Sequence, residues 1–103
     1  MLVAVVGDYV QSQSHGSITT GGINDFVTID GILVAVVAPS SPPASLSPCA
    51  HAPPTPPAFL NTNGCSFVNI QSTPIALVGY TQNNKGDVVV ANPAVNDFVN
   101  SDV

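Results

Sequence analysis

The sequence predicts an all-β fold, on three observations. Sixteen of the 103 residues are Val, and valine-rich runs of four to six residues recur between clusters of Gly, Asn, Ser and Pro. β-Branched side chains suit a pleated strand, and such clusters punctuate turns. Helix formers are scarce, with no Glu, no Arg, one Lys and one Met. No window carries the 3.6-residue periodicity of an amphipathic helix.

The elements follow in order. Val3-Ala4-Val5-Val6-Gly7-Asp8 returns as Val34-Ala35-Val36-Val37-Ala38-Pro39 and as Ile75-Ala76-Leu77-Val78-Gly79-Tyr80, at steps of 31 and 41 residues. A second element, Asn24–Asp30 (NDFVTID), returns at Cys65–Gln71 (CSFVNIQ) and Asn96–Asp102 (NDFVNSD), at steps of 41 and 31. The chain therefore opens on the strand that closes a unit, runs through two full units, and ends on the strands that open a third. A circle cut at one point gives this order. It predicts three pseudo-equivalent lobes around an axis, with the N-terminal strand Leu2–Val6 pairing near Phe98-Val99.

Each full unit reads as a hairpin. Phe26–Ile29 is extended, Asp30-Gly31 is a two-residue hairpin turn, and Ile32–Val37 returns. In the second unit Phe67–Ile70 leads through a Gln71–Pro74 turn into Ile75–Val78. Eight of the ten prolines fall in Pro39–Pro57, which reads as a semi-rigid extended connection. At 103 residues the whole chain is one domain, 1–103.

Composition excludes several functions. Six Asp against the single Lys85 give a formal net charge of −5. Phosphate neutralisation needs several Lys or Arg, so no nucleic-acid partner is expected, and an anionic membrane surface is excluded on the same ground. With 45% hydrophobic and 7% charged residues, charge-rich disorder is also excluded. So apolar a chain is expected either to keep one face covered by a partner or to build its surface from Ser, Thr, Asn and Gln. No apolar run reaches the 18 residues or so of a spanning helix. The start MLVAVVGD lacks a basic n-region and is read as a mature N-terminus, made in the cytoplasm without a signal peptide.

The residues able to carry chemistry are few: His15, Cys49, His51 and Cys65 are every His and Cys in the chain. All lie in the connections between the repeated strands, and a three-lobed closure brings those connections out at one end of the axis. Two thiolates and two imidazoles make a tetrahedral set of the kind zinc prefers in a structural site, and iron also accepts such a set. Two other readings stay open. One is a Cys49–Cys65 disulfide with two surface histidines; the other is two buried thiols with idle histidines. No enzyme activity is expected. There is no nucleophile-elbow pattern and no phosphate-cradling glycine loop, and Asp25 and Asp97 occupy repeated turn positions.

Taken together, these pieces resemble the PAAR-repeat family. The resemblance is carried by Val3–Asp8, Ser14-His15-Gly16, Thr20-Gly21-Gly22, Val27-Thr28-Ile29-Asp30-Gly31 and Val34–Val37, with Cys49-Ala50-His51 as the second Cys/His step. It spans nearly the whole chain. The chain departs from the family where Leu2–Val5 and Leu33–Val36 replace the Pro-Ala-Ala-Arg motif, and where Asn84-Lys85-Gly86 stands in place of a third His-Gly.

The resemblance implies a small pseudo-threefold cone of short hairpins, stapled near its tip by one structural ion, zinc or iron, on His15, Cys49, His51 and Cys65. Such proteins cap the homotrimeric β-helical spike of contractile injection machines such as phage tails and type VI secretion systems. The expectation is then one cap per trimer, at the tip of a virion tail or injection particle, in transient contact with a target-cell envelope and without a small-molecule substrate. The alternative is a small disulfide- or metal-stapled β-rich binding module, although the chain has no Trp and only six aromatic residues for a carbohydrate platform.

Overall fold

The computed structural model describes residues 1–10, 12–37, 42–47, 59–84, 86–92, 95 and 99–101. Among these the chain is all-β, with no helix and nine short strands in antiparallel pairs. None of it is a helix long and apolar enough to cross a membrane.

The predicted hairpins are present. β3 (Thr28–Ile29) pairs with β4 (Ile32–Leu33), and β6 (Asn69–Ile70) pairs with β7 (Thr73–Pro74). Both turns place two residues at positive φ, as a twist-matched two-residue turn requires. The values are 54° and 82° at Asp30 and Gly31, and 51° and 63° at Gln71 and Ser72. The third pairing joins the chain ends. Leu2 bridges Asn100, the Val3 N–H donates to Val99 O, and Met1 and Ser101 exchange N–H···O bonds of 3.0 and 2.8 Å. Each of these contacts is the repeat equivalent of one in the other hairpins: Val34 N–H bonds Val27 O, and Ile75 N–H bonds Val68 O.

Three central segments, Leu2–Val6, Leu33–Val37 and Pro74–Val78, then bond to one another in a closed ring. Ala4 N–H donates to Ala76 O, Ala76 N–H to Ala35 O, and Ala35 N–H to Ala4 O, at 2.9, 2.9 and 3.0 Å. A second set repeats the circuit: Val6 N–H to Leu33 O, Val37 N–H to Pro74 O, and Val78 N–H to Leu2 O. Sequence reading expected Ile32–Val37 to be one continuous strand; only Ile32–Leu33 forms a regular ladder. The reason lies in the ring. Val34, Ala35, Val36 and Val37 give their N–H groups to Val27, Ala4, Gly21 and Pro74 in turn, so no single neighbour follows the segment for long.

The connections carry strands of their own, which the sequence reading did not assign. β1 (Tyr9–Val10) pairs with β2 (Ser12–Ser17) and with β9 (Val89–Val90). β5 (Leu60–Thr62) pairs with β8 (Gln82–Asn83). Bridges Ile18–Leu46, Ser45–Phe59 and Gln82–Val88 link these pairs, so the three connections are stitched each to the next and back to the first. Closing the circuit leaves no exposed edge within it.

Alternate residues of the ring go to opposite faces, as strand geometry demands. Ala4, Ala35, Ala76 and Val37 pack with Val10, Ile18, Leu46, Leu60 and Val89. Val3, Val5, Val34, Val36, Ile75 and Leu77 face a second cluster, against the hairpin residues Val27, Ile29, Ile32 and Ile70. Alanine at the three ring positions lets the three backbones approach to hydrogen-bond distance.

Candidate functional site

Of the four predicted ligands, His15 lies within β2, in a strand rather than the irregular connection expected from Ser12-Gln13-Ser14. The strand is fixed by its pairing with β1 and, beyond it, by Gly7 N–H to Ile18 O and Ile18 N–H to Asp8 O. Gly16 follows at φ 115°, and a Cβ there would stand 2.8 Å from Ser47 O. The His-Gly step therefore serves the close approach of the second connection, whose Ser47 Oγ accepts Ser17 N–H at 2.9 Å. Cys49 and His51 fall outside the described residues.

Cys65 is fully buried among Val3, Val5, Val34, Val36, Ile75 and Leu77. Its Sγ accepts the Phe67 N–H at 3.4 Å and lies 3.5 Å from Ser101 Oγ. Its register partner is Asn24, which does the same work with better tools. Asn24 Oδ1 accepts the N–H groups of Phe26 and Val27 at 3.2 and 2.9 Å, and Nδ2 donates to Val27 O and Val34 O, both at 2.8 Å. Both residues cap the turn that starts a hairpin. Two donors converging on a sulfur also suit a metal-bound thiolate, so the Cys65 contacts fit either role. Among the described residues no three His, Cys, Asp or Glu groups gather around one point.

The titratable group most committed by the fold is Asp8, which sequence reading took for a turn residue. It is completely buried. Oδ2 accepts Val5 N–H at 2.9 Å and Oδ1 accepts Asn92 N–H at 2.8 Å. Asn92 Nδ2 in turn donates to Gly7 O at 3.0 Å. Burial raises the Asp8 carboxyl above the usual carboxylate range, and the Asn92 and Val5 N–H groups pull against it. Thr81 holds the corresponding place after the third central segment, where its Oγ1 accepts Leu77 N–H at 2.8 Å and donates to Asn63 O at 2.9 Å. These groups fasten the ring to the connections above it. Asn92 could be found only in the fold, because it stands 84 residues from Asp8.

No protein-family model, curated protein or solved structure matches the chain.

Proposed function

We propose that the chain is a PAAR-like spike-tip protein, a pseudo-threefold cone that caps a trimeric β-helical spike and sharpens it for piercing an envelope. The observation that carries this reading is the ring: one chain supplies Ala4, Ala35 and Ala76 with the same bonds in the same cyclic order. Such a chain offers three similar faces to three identical partners. The described body, 37 × 27 × 22 Å, is longer than it is wide. Its role is mechanical: a small rigid body at the leading end concentrates the contraction force of the machine on a small area.

In the same reading, one structural zinc or iron ion is held near the point by His15, Cys49, His51 and Cys65. The support is the chemistry of the donor set and the small size of the core it would staple. The ion would add binding free energy directly to folding.

Mixing the purified chain with homotrimeric β-helical spike proteins and measuring the mass of the complex tests the proposal. One chain per trimer is expected, barely weakened at high salt because the chain has few charges to screen. Three chains per trimer, or no complex with any such spike, removes the capping role.

A further inference from the structure

Phe26 and Phe67 are the two most exposed large apolar side chains among the described residues, at 60% and 72%. They hold one position of the repeat, in Asn24-Asp25-Phe26-Val27 and Cys65-Ser66-Phe67-Val68, and the register continues to Phe98 in Asn96-Asp97-Phe98-Val99. Each is presented by a turn capped from beneath. Phe26 N–H donates to the buried Asn24 and Phe67 N–H to the buried Cys65. A large ring left in water contributes little to folding, yet the fold holds one at the same place in two lobes.

Resting on the capping reading, we propose that Phe26 and Phe67 are anchors for the spike, each entering an apolar pocket that the trimer repeats once per chain. The repetition selects this occupant. A trimer offers one equivalent pocket to each repeat position, whereas a second copy of this chain would meet one patch, leave the others in water, and bring a second charge of −5. The same charge, with Asp25 beside Phe26, opposes docking on an anionic lipid surface. Exposed aromatic rings set singly on a rigid body also suit a few concentrated contacts.

The test titrates the wild type, Phe26→Ser, Phe67→Ser and the double variant against a homotrimeric β-helical spike that the wild-type chain caps. Each single substitution is expected to weaken binding about tenfold or more, and the double variant further. The melting temperature should stay unchanged, because both rings lie outside the two core clusters. Unchanged affinity in the double variant, with the wild type still capping, overturns this inference alone. Failure of the wild type to cap any such trimer overturns the capping reading with it. Intact spike affinity with lost flotation on phosphatidylethanolamine–phosphatidylglycerol vesicles assigns the rings to lipid and overturns the proposal.

Discussion

Asp8 shows how much one side chain can hold. Its two oxygens are shared between the ring, through Val5 N–H, and the third connection, through Asn92 N–H. Asp8→Ala would strand both buried donors and is expected to cost about 2–4 kcal/mol, read by chemical denaturation. The pH dependence has a definite sign. Because burial raises the folded-state value, the folded chain holds this proton more tightly than the unfolded chain. The stabilisation is present in full below the ordinary carboxylate value and is lost as pH rises through the raised one. The stability advantage of the wild type over Asp8→Asn should therefore shrink with rising pH across that window; an advantage that grows would mean the two N–H bonds outweigh burial. Cys65 carries the other residue-scale prediction. Cys65→Asn supplies the turn cap that Asn24 supplies in the first unit. In the metal-stapled reading it should still empty the site and lower the melting temperature. Unchanged metal content, measured by elemental analysis, would make Cys65 a cap and not a ligand. The sequence register already set Cys65 opposite Asn24, but it could not show that the position is a buried cap, because capping depends on backbone donors brought in by the fold.

At the scale of elements, the two described hairpin turns differ in cost. Asp30-Gly31 places glycine at the second positive-φ position, whereas Gln71-Ser72 holds a side chain there at φ 63°. A left-handed conformation costs a non-glycine residue about 1 kcal/mol. Ser72→Gly is therefore expected to stabilise the chain by about 0.5–1 kcal/mol in thermal or denaturant melts, whereas Gly31→Ala should destabilise it. The space around Gly31 is open, with nothing within 4 Å of an added Cβ, so that loss would report backbone strain alone. The hairpins were legible because their strands are apolar, repeated and bounded by turns. The strands of the connections were not. β2 reads Ser-Gln-Ser-His-Gly-Ser, with no alternation of apolar residues, and β5 and β8 are polar except for Leu60. Their order comes from long-range pairing within the closed circuit, which local pattern does not encode.

At the scale of the whole molecule, the register makes the chain ends part of a turn. Asp30, Gln71 and Asp102 hold one repeat position, and Gly31, Ser72 and Val103 hold the next. The residue after them is Ile32, Thr73 or, through the circle, Met1. Met1 pairs with Ser101 as Ile32 pairs with Ile29. A peptide bond from residue 103 to Met1 should therefore rebuild a two-residue hairpin turn with no added linker. The test is a circular permutant joined there and opened between Gly31 and Ile32. It should carry Val103→Gly, because the second turn position has positive φ in both described hairpins. Its melting temperature should stay within a few degrees of the wild type, since the cut and the join both fall at hairpin turns. Opening the circle between Ala35 and Val36 should instead abolish folding, because it divides the ring where Ala35 both accepts from Ala76 and donates to Ala4. Deleting residues 1–6 should do the same by removing the buried Val3, Ala4 and Val5. If that truncated chain keeps its melting temperature, the N-terminal strand is a trimming rather than a third of the ring, and the closed-circle architecture fails with it.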